Sequence, residues 1–166
     1  MLSSLLRRHK DECPDLLNSK LFNEITFYPA LLKDLNSCQN EVIIECPFIT
    51  IKRIDTLLPA FNKLLQRGVS ITMNTRDPEE HEDYLRIQAT AAIATMQHMG
   101  INVLYTGSHH RKLVIIDRSI LYEGSLNVLS QNDSCEIMRR MESKALARQL
   151  IDFLRISKLI SNQEPF

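Results

Sequence analysis

The sequence predicts an α/β fold, and three of its features support that prediction. Short apolar runs of strand length recur along the chain. Between them lie longer segments whose apolar residues recur every three or four positions, as on one face of a helix. The length of 166 residues suits one hydrophobic core. Because alternating strands and helices are joined by crossovers, we expect a mixed, largely parallel β-sheet sandwiched by helices, in one domain at 21–166 after a polar segment at 1–20.

The predicted strands are short and rich in β-branched residues. The clearest is the Leu-Val-Ile-Ile run at 113–116, a continuous apolar stretch typical of a strand buried on both faces. The first strand is expected to stop near Pro47. Strands are predicted at 41–46, 69–73, 101–105, 112–116 and 120–123, with a further one around 137–138.

Four helices are predicted around these strands. Pro29 suits the first position of one helix, and a second has helical apolar spacing over 54–66. A third is expected to start at Asp77, with Asp77 as its cap and Glu80 as the capping-box acid. Its apolar stripe runs to Met99. The last helix is expected over 143–159.

Composition narrows the function classes. Twenty basic and twenty acidic residues cancel, and this balance argues against tight non-specific DNA binding without excluding a local basic groove. Cys13, Cys38, Cys46 and Cys135 form no CxxC pair, so neither a structural zinc site nor a disulfide framework is expected. In a secretory signal the positive charges precede the apolar core, whereas here Arg7, Arg8 and Lys10 follow the first apolar residues, so no such signal is expected. No apolar run approaches the roughly 20 residues of a membrane span. A cytoplasmic setting without stable membrane insertion is expected.

One stretch carries a pattern of chemically useful residues. His110 and Lys112 stand two positions apart at the polar start of the apolar run, so on a strand they project from one face. Ser125 and Asn127 repeat that relation just after Gly124, where the chain can turn back toward the same place. An imidazole, a cation and an amide at one point suit a phosphoryl group, because they supply a nucleophile and donors for its oxygens.

This pattern resembles the signature of the phospholipase D superfamily. That signature reads His-x-Lys, four residues, Asp, six residues, Gly-Ser-x-Asn, and His110, Lys112, Asp117 and Asn127 keep its spacing here. The resemblance also points to a downstream acid that orients the histidine, for which Glu136 is the candidate. Asp117 is out of phase with Lys112 on a strand, so we interpret it as a residue that organises the turn.

The resemblance implies a double displacement at phosphorus by two histidines from two facing copies of the motif. One forms a phosphohistidine, and the other protonates the leaving alcohol and then activates water. This sequence holds one copy, so activity implies a homodimer in which both His110 side chains line one cleft. Lys112 and Asn127 would bind the phosphoryl group, with Ser125 supporting it and Glu136 fixing the imidazole tautomer. No metal or other cofactor is implied.

The other histidines have simpler interpretations. His9, His81 and His98 are expected to be surface or core residues, and His109 is expected to point away from the motif's face. A metal site from His109, His110 and Cys135 is disfavoured, because adjacent histidines on a strand diverge.

Three functions stay open at this stage. Short single-motif members of the superfamily most often resemble nucleases, which favours a nucleic acid substrate and also the possibility that the chain is a domain of a larger DNA-processing protein. A phospholipid or small-diester hydrolase is the second hypothesis, although no basic amphipathic helix is evident. The third is a non-catalytic module that grips a phosphate backbone.

Overall fold

The seven strands found in the described residues form one mixed sheet. The computed structural model of the chain describes residues 16, 18–130 and 134–161, so the predictions for 1–15, including His9 and Cys13, lie outside the described residues. The sheet order is β1-β7-β6-β5-β2-β3-β4. The strands are β1 (Lys20–Phe22), β2 (Glu41–Glu45), β3 (Ser70–Thr75), β4 (Asn102–Tyr105), β5 (Leu113–Ile116), β6 (Ile120–Gly124) and β7 (Met138–Glu142).

Helices cover both faces of this sheet. Three of them pack with Val42 and Ile44 of β2 in the larger hydrophobic core: α1 (Phe27–Ser37), α2 (Ile51–Gln66) and α3 (Asp83–His98). Two further helices, α4 (Lys144–Leu154) and α5 (Ile156–Ser161), pack with Ile43 in a second core on the opposite face. Alternating side chains of one buried strand thus serve both cores, as a strand covered on both faces requires. The predicted α/β sandwich is confirmed.

The proportion of parallel pairing was predicted wrongly. Two of the six described pairings, β2 with β3 and β3 with β4, are parallel, and the other four are antiparallel. β5 and β6 are joined by a tight turn at 117–119, which forces antiparallel pairing. The short edge strand β1, which pairs with β7, was not predicted.

Two helix boundaries also differ from the prediction. Asp77 caps a single 3₁₀ turn, Pro78–Glu80, by accepting a hydrogen bond from Glu79 N. Glu80 accepts from the backbone N–H of Ser108 at 3.0 Å. Because that tertiary contact recruits Glu80, it does not complete a capping box, and the helix begins at Asp83.

The last predicted helix is divided in two. Arg155 adopts a left-handed conformation with φ of 53°, which ends α4. The next residue, Ile156, is buried in the second core. The break therefore redirects the chain so that α5 also packs on the sheet. Among the helices of the described residues, none combines the length and the apolar character needed to cross a membrane.

Candidate active site

The strand register brings several strand ends to one edge of the sheet. β5 pairs antiparallel with β2, with Leu113 opposite Glu45, so the residues before Leu113 lie where β2 ends. β6 finishes at the same edge with Gly124, and β7 begins there with Met138 opposite Gly124. This edge therefore gathers five of the residues that the sequence predicted: His110, Lys112, Ser125, Asn127 and Glu136.

His110 and Lys112 are in direct contact in the extended segment before β5. Nζ of Lys112 lies 3.0 Å from Nδ1 of His110 and donates to the backbone oxygen of His110 at 2.9 Å. The ring of Phe48 stands edge-on to the exposed imidazole, with 6.4 Å between the ring centroids. A nucleophilic ring and a cation are thus held together, as attack on a phosphoryl group requires.

Burial lowers the pKa of Lys112, and Arg76 acts in the same direction, whereas Cys46 and Glu136 oppose the shift. The net pKa lies below the ordinary value of 10.5. We expect NMR titration of the lysine side chains, with Lys112→Arg to assign the resonance, to place the pKa of this amine below 10.5. Since only the protonated amine can hold a phosphoryl oxygen, binding of vanadate should weaken as the pH rises through that value. A pKa for Lys112 at or above 10.5 would contradict this expectation.

Ser125 links the end of β6 to Glu136. Its hydroxyl donates to Oε2 of Glu136 at 2.5 Å and accepts from the backbone N–H of Ile137 at 3.1 Å. Ser134 donates to the other carboxylate oxygen at 2.5 Å. Because a hydroxyl has one proton to donate, Ser125 would have to release Glu136 before it could donate to a phosphoryl oxygen.

Gly124 allows this link because β6 and β7 approach closely there. A Cβ at Gly124 would lie 2.0 Å from the backbone oxygen of Ile137. Gly124→Ala should therefore displace the segment that carries Ser125 and Glu136 and lower the free energy of unfolding by about 1–3 kcal/mol or more, as overpacking does. Urea unfolding measures this loss.

Gly107→Ala is the matched control, since among the described residues a Cβ there would have one neighbour within 4 Å, Oε1 of Glu80 at 3.7 Å. Its free energy of unfolding should stay within about 0.5 kcal/mol of the parent. Equal stability of the Gly124 and Gly107 variants would show that the close approach does not constrain the site.

Asn127 is buried beside this group, and Asp117 is remote from it. Asn127 is 7% exposed, and its Oδ1 has no hydrogen-bond partner among the described residues. Asp117 follows the far end of β5, where its carboxylate accepts from the backbone N–H groups of Gln39, Asn40 and Glu41 at 2.7–3.1 Å. Asp117 thus ties the turn after β5 to the start of β2 and does not reach the His110 edge.

A buried carboxylate fixes the residues on both sides of His110. The fully buried Glu45 side chain, at the end of β2, pairs with Nε2 of His109 at 2.8 Å and with Nε of Arg111. Nδ2 of Asn74 donates to its other oxygen at 2.9 Å. Burial raises the pKa of Glu45, but these three hydrogen bonds outweigh burial and hold the pKa below its ordinary value. His110 therefore sits between two residues that one group anchors.

The sequence analysis did not identify this anchor. It treated His109 as structural and passed over Glu45, Asn74 and Arg76, whose Nε donates to the backbone oxygen of His109 at 2.6 Å. Glu45 ends β2, Asn74 is the next-to-last residue of β3, and Arg76 follows β3, so all three lie at the carboxyl ends of strands in the parallel part of the sheet. Polar residues at the carboxyl ends of parallel strands share one edge, and that signal was available.

The metal site that the sequence disfavoured has no matching geometry in the part of the chain that the structure describes. His109 is buried against Glu45, whereas His110 and Cys135 are exposed. Within those residues, no group of three His, Cys, Asp or Glu side chains is arranged to hold a metal ion.

Known proteins share this fold and, in one family, its sequence pattern. Residues 31–156 match the family described as "Cardiolipin synthase, PLD-like domain". The structure is similar to Nuc, a phospholipase D family member from Salmonella typhimurium, with a TM-score of 0.68 and 15% identity over 89% of this chain and 97% of that one. The similarity to NucT from Helicobacter pylori has a TM-score of 0.69 and 16% sequence identity, and it covers 89% of this chain and 98% of that one. For phosphatidylserine synthase from Haemophilus influenzae the TM-score is 0.64 and the sequence identity 11%, and the similarity covers 87% of this chain and 38% of that one. These structural likenesses show the fold, and no curated protein sequence matches the chain.

Proposed function

This chain belongs to the phospholipase D superfamily, and we propose that it is a metal-independent phosphodiesterase that cleaves DNA or RNA. The observation that carries the proposal is the contact between His110 and Lys112, 3.0 Å apart, at the edge that also holds Asn127 and Glu136. The fold similarity to Nuc and NucT, which extends over 97% and 98% of those chains, is consistent with this proposal.

The proposed reaction proceeds in two displacements. A ring nitrogen of His110 attacks phosphorus, a phosphorus–nitrogen bond forms, and the bond to the leaving oxygen breaks. The imidazole of a second copy of the chain gives its proton to that oxygen. The same imidazole then takes a proton from water, whose oxygen replaces His110 on phosphorus. Lys112 and Asn127 would stabilise the negative charge on the phosphoryl oxygens in both steps.

A homodimer is part of this proposal because the motif occurs once in the sequence. The edge that carries His110 also carries the amino-terminal ends of α2 and α3, which follow β2 and β3. Three apolar side chains are exposed on those ends, Ile51, Tyr84 and Ile87, at 37%, 73% and 66%. Exposed apolar side chains beside the site support the approach of a second copy from this side.

The test is a cleavage assay in EDTA on single- and double-stranded DNA and RNA. The parent protein should cleave at least one of these substrates without a divalent ion, and vanadate should inhibit cleavage. A non-catalytic backbone-binding module would bind the same nucleic acids without cleaving any. Cleavage that requires added metal would contradict the metal-independent mechanism.

Phosphatidyl transfer or phospholipid hydrolysis is the second candidate, favoured by the description of the matching family as a cardiolipin synthase domain. The same phosphohistidine chemistry would serve it, with an alcohol or water as the acceptor. Turnover of phospholipid vesicles in place of nucleic acid would select this candidate.

A further inference from the structure

A cavity of about 180 Å³ lies directly beside the candidate phosphoryl site. Asn127 and Glu136, which belong to that site, form one part of its wall. The rest comes from elements distant in sequence, including Glu24 before α1, Tyr28 on α1, Arg53 on α2 and Ser130. A group attached to a phosphorus atom held at Asn127 would therefore have this cavity within reach.

Three polar atoms of the cavity wall lack hydrogen-bond partners among the described residues. They are Nε of Arg53, Oδ1 of Asn127 and Oγ of Ser130. Asn127 and Ser130 are 7% and 5% exposed. Buried polar groups in native proteins are nearly always hydrogen-bonded, so this cluster indicates partners that come with a ligand.

Arg53 is held in place although its Nε has no hydrogen-bond acceptor among the described residues. Its guanidinium carbon lies 3.7 Å from the centroid of the Tyr28 ring. The Tyr28 hydroxyl in turn donates to the backbone oxygen of Val128 at 3.2 Å, next to Asn127. The planar guanidinium is thus positioned before any ligand binds, which reduces the entropy lost on binding.

The charges of the cavity indicate which kind of ligand fits. Glu24 and Glu136 line it with Arg53, so a second phosphate would meet two carboxylates. An uncharged group with both donors and acceptors suits the wall better. It could accept from Arg53 and Ser130 and donate to Oδ1 of Asn127. The sugar and base of a nucleotide have that combination.

We propose that this cavity binds the nucleoside esterified to the scissile phosphate, with Arg53 and Ser130 as the residues that recognise it. The proposal rests on the proposed function, because it takes the substrate to be a nucleic acid. It assigns the phosphoryl group to His110, Lys112 and Asn127 and the adjoining nucleoside to the cavity.

The test compares the binding of three small probes by calorimetry: inorganic phosphate, thymidine 5′-monophosphate and glycerol 3-phosphate. The parent should bind thymidine 5′-monophosphate about 10-fold or more tightly than phosphate, since a charge-assisted hydrogen bond contributes at least that factor. Arg53→Ala should remove the difference while leaving phosphate binding unchanged. Arg53→Lys, which loses the planar fork, should restore only part of it. Lys63→Ala, on an exposed position of the same helix, is the matched control.

Several results would overturn the proposal. They are equal affinity of the parent for phosphate and thymidine 5′-monophosphate, and a nucleoside advantage that survives in Arg53→Ala. Tighter binding of glycerol 3-phosphate than of the nucleotide would assign the cavity to a lipid-derived group instead.

Thermal melting shows whether Arg53→Ala is folded. Ser130→Ala, a smaller change, should also lower the affinity advantage of thymidine 5′-monophosphate over phosphate. Because binding is measured apart from cleavage, failure of the nuclease assay with an intact nucleoside advantage would reject the proposed function alone.

Discussion

His110→Ala is expected to abolish phosphodiester cleavage, lowering kcat/KM by a factor on the order of 10⁴ to 10⁶, as loss of a covalent nucleophile does in other enzymes. The variant lacks both the atom that would bond to phosphorus and the group that would protonate the leaving oxygen. Because the His110 side chain is exposed and bonds only Lys112 among the described contacts, its removal should leave the fold intact.

His98→Ala is the matched control, since His98 is an exposed histidine at the end of α3. Steady-state kinetics on the best nucleic acid substrate, with thermal melting of both variants, separates chemistry from folding. Cleavage by His110→Ala within about 10-fold of the parent would exclude His110 as the nucleophile.

Glu45→Ala should cause the largest loss of stability among single changes near the site, about 3–5 kcal/mol. Its carboxylate is fully buried and bonds His109, Arg111 and Asn74. Its removal leaves buried polar groups without hydrogen-bond partners. The same change releases His109 and Arg111, the two residues that flank His110. We therefore expect reduced kcat as well as a lower urea midpoint.

Glu41→Ala is the control at the opposite end of the same strand. Glu41 also pairs with an arginine, Arg118, but that arginine is 58% exposed, and such surface pairs contribute about 1 kcal/mol or less. Similar losses for the two variants would show that burial of the Glu45 group does not matter.

The pH dependence of stability follows from the same carboxylate. The folded-state pKa of Glu45 is lowered from its ordinary value of 4.5. A lowered pKa stabilises the fold fully above the unfolded value and loses that contribution as the pH falls through the folded one. The stability difference between parent and Glu45→Ala should therefore shrink below about pH 4.5.

Local sequence patterns predicted the elements of this fold better than their directions. The apolar run at 113–116 and the helical spacing at 54–66 each gave an element within about three residues of its observed bounds. Periodicity does not encode strand direction, so the antiparallel half of the sheet was missed. The start of α3 was misplaced because Glu80 bonds Ser108, a tertiary contact that capping rules cannot anticipate.

Local sequence patterns likewise predicted only part of the candidate site. Spacing in one stretch of sequence predicted that His110, Lys112, Ser125 and Asn127 lie near one another, because they flank adjacent strands. Glu45 is 64 residues from His109 in the sequence, and Arg53 is 74 residues from Asn127. Partners of that kind follow from sheet order and helix placement, which one sequence does not reveal.

Subunit mixing tests the central claim, that two copies of His110 from two chains complete one site, most directly. Parent and His110→Ala protein would be combined in equal amounts, allowed to exchange subunits, sized by light scattering and assayed in EDTA. If both histidines are needed, complete exchange with random pairing leaves about a quarter of the activity of parent protein at the same total concentration, since only parent–parent dimers turn over. Once exchange is complete, activity of about half that of the parent at the same total concentration, or cleavage by a stable monomer, would show that each chain holds a complete site and would contradict the account.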